Sequence, residues 1–306
     1  MARGLPGHTA GGIMGQPMPQ LSAGTHISGT EGTSADQITW RLHREVVLLA
    51  GWGRAILLQL AHPLVAQGVA DHSAFAESTW ARMARLRRTL SAMLALTFGT
   101  PDEAAAAAAA INRIHDRVNG HLCGAAAGLP AGSRYSAHDP ALLTWVHATL
   151  VDTFLLTYER FVAPLTPDER DRYCRESGAA APLLGIPAGM LPSSADALDD
   201  YMARMLGGNQ IAVTDTARRV AGEVLSLGLP RIARPLTAGA RLPAVGLLPA
   251  PIREAYGLPW TRWHERALTS MAAATRRGLP LLPPALRAWP AARRAVRRAG
   301  SSRAAR

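Results

Sequence analysis

The chain has no lysine: all 33 of its basic side chains are arginines. That removes Schiff-base chemistry, a phosphate-loop lysine and a lysine general base together, because a guanidinium neither forms an imine nor gives up its proton. Cysteine is nearly as scarce. Cys123 and Cys174 stand far apart, with no Cys-x-x-Cys pair and no Cys-x-x-Cys-His of the kind that attaches a haem covalently. Two free thiols in a reducing compartment are expected. Aromatic residues make up 5% of the chain, and β-branched residues seldom alternate with polar ones, so strands are not expected. No run approaches the roughly 18–20 apolar residues that a membrane-spanning helix requires. Met1 to Ala35 holds neither a twin-arginine pair nor an apolar h-region, which gives an expectation of cytoplasmic residence.

Further absences narrow the chemistry. His-x-x-x-His, Glu-x-x-His and His-Glu-x-x-His are all missing, which disfavours a zinc or iron site built from side chains alone. Ser73 lacks the nucleophile-elbow glycines, and there is no Ser-His-Asp pattern, phosphate-binding glycine loop or dinucleotide fingerprint.

What the chain does have is helix punctuation. Thr100-Pro101-Asp102-Glu103 supplies a capping hydroxyl, a proline at the first helical position and two carboxylates at the positive end of the helix dipole. Thr166-Pro167-Asp168-Glu169 repeats the signal. Helices are expected over Ile38 to Leu60, Phe75 to Leu96, from Pro101 to near Gly120, from Asp139-Pro140 past Tyr158, and over Ala195 to Leu206, Thr214 to Leu227 and Pro251 to Tyr256. At 306 residues the chain can bury one substantial core, so the expectation is a single all-α helical bundle domain spanning 36–260.

The net charge of +11 is unevenly placed. Arg262 to Arg306 holds eleven arginines against one acid, Glu265. Rich in Ala, Pro and Arg and without a recognisable binding module, residues 261–306 read as a basic, frayed, solvated tail. Weak contact with an anionic surface is expected of it and no specific nucleic acid. Residues 1–35, with scattered Gly, Pro, Ser and Thr, read as a disordered N-terminal segment.

Within the domain, Ile111, Ile114, His115 and Val118 fall at i, i+3, i+4 and i+7, the stripe a helix turns toward its core. An inward imidazole must either be neutral with both nitrogens satisfied or bind a metal through one of them. Both readings stay open for His115, and the satisfied core histidine is the commoner one. A porphyrin brings four nitrogens and asks the protein for as little as one axial histidine. His147, with Leu143, Leu150 and Val151 around it, is a rival ligand that periodicity does not separate from His115. Arg85 and Thr89, four apart, project from one side of their helix and flank its apolar stripe of Leu86, Leu90, Met93 and Leu94. An arginine fork there suits a carboxylate such as a haem propionate. The plainer reading is that Arg82, Arg85 and Arg88 form a solvated face.

The order of motifs is itself informative: Trp40 and Glu45, Gln59-Leu60-Ala61-His62-Pro63, Gly68 to Ser73, Arg85 to Thr89, Phe98-Gly99-Thr100, Ile114-His115, Val118, Gly120 and Trp145-Val146-His147. This string, continuing through Leu184-Gly185-Ile186-Pro187 and Leu247-Leu248-Pro249, resembles the catalytic domain of the MpaB and latex-clearing-protein (rubber oxygenase) family from about Trp40 to Trp260. The resemblance implies a globin-like helical core holding a non-covalent haem b. It also implies an oxygenase that uses dioxygen to cleave carbon–carbon double bonds of hydrophobic, isoprenoid substrates. The family's arginine, threonine and proximal histidine map onto Arg85, Thr89 and His115, so His115 is the iron ligand the resemblance implies. Rubber oxygenases place a lysine just before that threonine. Arg88 stands there in this chain, and a guanidinium has no lone pair to offer iron. Where the family carries a catalytic glutamate, Val69, Ala70 and Asp71 occupy the region, which leaves Asp71 as its stand-in. The alternatives kept open are a haem-binding sensor or carrier without turnover and a helical module that grips nucleic acid through its basic tail.

Overall fold

Both Thr-Pro-Asp-Glu strings start helices by the same local chemistry. The hydroxyl of Thr100 accepts from the Glu103 amide at 3.2 Å, while Glu103 Oε2 accepts from the Thr100 amide at 2.8 Å. Thr166 and Glu169 repeat the exchange at 3.2 and 2.9 Å. Each box satisfies two amides that a helix start otherwise leaves unbonded, a contribution of about 1 kcal/mol. They open α5 (Pro101–His115) and α7 (Pro167–Ser177). In the same way Asp139 Oδ1 accepts from the Ala141 amide at 2.8 Å and opens α6 (Pro140–Phe161).

The structure, a computed structural model, describes residues 37–72, 79–226 and 234–304. The expectation for residues 1–35 lies outside the described residues. Ahead of α5 run α1 (Ile38–His43), α2 (Leu49–Leu60), α3 (Pro63–His72) and α4 (Thr79–Phe98). The single helix expected over Ile38 to Leu60 is therefore two, parted by a short 3-10 turn at Val46–Leu48. After α7 come α8 (Ala195–Gly207), α9 (Asp215–Ser226), α10 (Arg234–Gly246) and α11 (Ala250–Ala255). The sequence reading overlooked α10, whose internal Pro243 is a helix-breaking signal. It also overlooked a small antiparallel hairpin, β1 (Asn119–His121) with β2 (Arg134–Ser136), in which Gly120 pairs with Tyr135. Helices otherwise account for the architecture, and the fold is all-α.

The core is organised around α2, which lies between α6 and α10. Leu57, Leu58, Leu60 and Ala61 at its C-terminal end bury against Trp145, Val151 and Leu155 of α6. Close approach is enforced by missing side chains: a Cβ on Gly51 would lie 2.1 Å from Thr157 Oγ1, and one on Gly53 would lie 2.6 Å from Ala244 Cβ. Gly51→Val should therefore overpack the α2–α6 contact and lower stability by about 1–3 kcal/mol, read as a drop in the urea midpoint with little change in slope. A charged group crosses the same layer. Arg54 of α2, 4% exposed, reaches Asp152 Oδ2 at 2.6 Å, Thr153 Oγ1 at 2.6 Å and the Leu247 carbonyl at 2.6 Å.

By length and composition α6 is able to cross a membrane, its most apolar window having a mean hydropathy of 1.2. That amends the expectation that no stretch reaches the length required. Since 67% of the window is buried inside the protein, its apolarity is that of a core helix.

The Arg/Ala/Pro-rich segment expected to fray is helical through Ala304, with α12 (Arg262–Gly278), α13 (Pro284–Arg287) and α14 (Pro290–Ala304). An ion pair and an apolar patch are among the contacts that hold it. Arg287 Nε donates to Glu45 Oε2 at 2.7 Å, and Glu45 is fully buried. Ala292 and Ala295 of α14 bury against Phe98, beside Trp40 and Trp289. Composition hid this packing because alanine and arginine look the same on a solvated helix and on a docked one.

Candidate functional site

α4 and α5 form a helical hairpin joined by Gly99 and Thr100. Thirteen residues before the end of α4 stands Arg85, and fourteen residues after the start of α5 stands His115. At 1.5 Å per residue both lie roughly 20 Å from the turn, so the hairpin brings the two backbones to one height. The side chain of Arg85 lies outside what the structure describes. Arg88 and Thr89 are exposed on α4.

His115 is the last residue of α5 and is half-buried. The inward stripe expected around it is not formed: Ile114 is 60% exposed, and Val118 lies past the helix end. His115 therefore faces a different neighbourhood from the core. Its ring meets that of His138 edge-on, with centroids 5.8 Å apart, and His138 Nε2 pairs with Asp116 Oδ1 at 2.8 Å. Burial, then His138, push the His115 pKa below the ordinary histidine value, with Asp116 opposing. The imidazole is thus neutral at neutral pH and keeps a lone pair. Among the described residues its buried Nδ1 has no hydrogen-bond partner, and neither has Oδ1 of Asn112 one turn earlier, whose amide nitrogen donates to the Leu183 carbonyl at 2.9 Å. Buried polar atoms are normally paired. A neutral histidine with an unsatisfied ring nitrogen fits a metal-bearing group that brings its remaining ligands with it. Among the described residues no group of three or more His, Cys, Asp or Glu is placed to hold a bare ion.

His147 sits elsewhere. It is in the middle of α6, partly buried, and burial pushes its pKa down to about 4. Its electrostatic neighbour is His43, pushed down to about 4 by burial and then by His147. His43 is satisfied at both nitrogens, by Thr97 Oγ1 at 3.2 Å and Tyr173 Oη at 2.7 Å. Unlike His43, the His147 ring has no side-chain hydrogen-bond partner among the described residues.

Asp71 is exposed at the end of α3, and both of its oxygens are taken. Oδ1 accepts from Gln67 Nε2 at 2.8 Å and Oδ2 from Tyr135 Oη at 2.6 Å. Tyr135 also lies 3.2 Å from His72 Nε2. Burial and the Asp71 carboxylate push the tyrosine pKa up. A Cβ on Gly120 would come within 2.5 Å of Tyr135 Oη, so that glycine makes room for the network. These contacts anchor the hairpin to α3 and hold the Asp71 carboxylate in place.

A shallow apolar cleft, with an enclosed volume of only about 30 Å³, opens beside α4. Leu90, Met93, Leu94 and Thr97 form one wall, continuing the helix face that begins one turn past Arg85. Trp52, Phe154 and Trp289 face them from α2, α6 and the start of α14. Sequence reading expects Leu86, Leu90, Met93 and Leu94 to turn inward; Leu86 is instead 37% exposed, and nothing in the sequence signals Trp52 or Trp289, which reach the cleft from remote parts of the chain.

No curated protein and no solved structure matches the chain. A family described as ER-bound oxygenase mpaB/B′/rubber oxygenase, catalytic domain, matches residues 40–277. That stretch holds the α4–α5 hairpin, His115, His147 and all of the pocket wall except Trp289, and the chain belongs to this oxygenase catalytic-domain family.

Proposed function

We propose that the protein is a haem b-dependent oxygenase acting on carbon–carbon double bonds of a hydrophobic, isoprenoid-like substrate, with dioxygen as co-substrate. The observation that carries this reading is His115: neutral, half-buried, with an unsatisfied ring nitrogen, at the height of Arg85 on a helical hairpin. His115 would hold the iron, and Arg85 and Thr89 would pair with a propionate or with polar atoms near the reacting centre. When bound, haem supplies the activation of dioxygen that no side chain here provides. The protein's own part is to bind and exclude water. The Leu90, Met93, Leu94, Trp52, Phe154 and Trp289 wall offers an apolar surface against which such a chain would lie. Arg88 adds a positive charge to the exposed face of α4.

Absorption spectra after expression with added haem test the proposal. Wild-type protein is expected to purify coloured, His115→Ala to lose the pigment or shift its bands, and His147→Ala to keep both. Colourless wild-type protein ends the haem reading. If His115→Ala instead kept full haem and unchanged bands while His147→Ala lost them, the ligand would be His147. The depressed His115 pKa also sets a sign. Haem should stay bound as pH falls through 6.5 and be released only at lower pH, where the imidazole takes a proton.

A haem-binding sensor or carrier without turnover is the second reading. It is favoured by Asp71, the stand-in for a catalytic glutamate, being tied at both oxygens to Gln67 and Tyr135 in a structural contact. Oxygen uptake with a panel of unsaturated lipids separates the two.

A further inference from the structure

Between α12 and α14 the chain runs Leu279-Pro280-Leu281-Leu282-Pro283-Pro284-Ala285-Leu286-Arg287. Every residue from Pro280 to Leu286 is exposed and none carries a charge. Leu281, Leu282 and Leu286 are 84%, 44% and 66% exposed. Single leucines at a surface need no explanation, but an uninterrupted apolar loop of this kind does. The loop is held at both ends. Leu279 is buried before it; after it Arg287 pairs with buried Glu45, Ala288 bridges to Glu45, and the Trp289 amide donates to the Arg44 carbonyl at 3.1 Å. Arg277 precedes the loop by three residues, and Arg294 and Arg297 follow within two turns of α14; all three are exposed.

We propose that this loop is a membrane-docking element, inserting Leu281, Leu282 and Leu286 among the acyl chains of an anionic bilayer while the neighbouring arginines lie at its phosphate level. Charge decides the occupant. From Arg262 onward the chain carries eleven arginines and one acid, which complements an anionic lipid surface, and leucines add the acyl-chain contact that a nucleic acid does not reward. The loop leads into Trp289, which lines the apolar pocket together with the 37% exposed Leu49. An interfacial position there would let an apolar chain pass from bilayer to pocket. Only this last clause rests on the oxygenase reading.

Vesicle sedimentation with the full chain tests the docking element. Wild-type protein should pellet with vesicles of mixed phosphatidylcholine and phosphatidylglycerol and much less with phosphatidylcholine alone. The triple variant Leu281→Ser, Leu282→Ser, Leu286→Ser should lower that partition by about tenfold or more, and Arg277→Gln, Arg294→Gln, Arg297→Gln should remove its dependence on salt. Wild-type protein left in the supernatant with both vesicles overturns the proposal, as does a leucine variant that pellets like wild type. So does a dimer in solution that the leucine variant dissolves without any vesicle binding, or duplex DNA binding that only the arginine variant abolishes. Both variants change only exposed side chains beyond α11, so haem colour reports separately on the oxygenase reading.

Discussion

Asp152→Ala is expected to cost about 3 kcal/mol or more in stability, because it leaves Arg54 charged and 4% exposed with no counter-ion. The guanidinium would keep only its hydrogen bonds to Thr153 Oγ1 and the Leu247 carbonyl. Removing the other partner should be milder. In Arg54→Met the orphaned Asp152 side chain is 21% exposed and retains some water, and the methionine fills the space of the arginine stem. The double variant Arg54→Met, Asp152→Leu should regain much of the loss, since a well-packed apolar pair often matches a buried ion pair. Urea unfolding of the four proteins gives the coupling directly. A loss under 1 kcal/mol for Asp152→Ala would show that water reaches Arg54 and that the pair is not buried in effect.

The second large effect is acid sensitivity. His43 and His147 each titrate near 4 in the folded protein, below the ordinary value of 6.5, because burial disfavours the charged ring. The unfolded chain therefore binds two more protons than the folded one between these limits. Linkage then makes stability rise with pH across this window. The contribution is fully present above pH 6.5, is lost as pH falls toward 4 and levels off below it. Each histidine accounts for up to about 3 kcal/mol of this loss. Unfolding midpoints measured from pH 7 to pH 4 should fall steeply for wild type and less steeply for His147→Leu. Parallel curves for the two proteins would mean that His147 is protonated in the folded state.

The features legible in the sequence were those decided within a few residues. The Thr100 and Thr166 boxes, and the Asp139-Pro140 start, depend on a side chain reaching an amide two or three positions on, so the spacing alone identifies them. The order of motifs led to the family for a related reason: spacing along a chain survives where a single motif is weak. What stayed hidden was settled by distant partners. The stripe around His115 failed because the helix ends at that residue and its neighbour, His138, comes from another element. Tyr135, 64 positions away, bonds Asp71, a contact that no local pattern shows. The pocket wall draws on α1, α2, α4, α6 and the start of α14, and no window of sequence contains it. Arg287 meets Glu45 across 242 positions, which is why the last helices looked unattached.

That long-range ion pair sets where the protein can be cut. The family match ends at residue 277, ten residues short of Arg287. A shortened version stopped at the match would strand the Glu45 carboxylate in an interior from which Arg287 had been taken, with only Arg44, at 3.2 Å, to oppose its charge. The smallest autonomous unit therefore reaches beyond the region that resemblance delimits, and expression trials should keep α14.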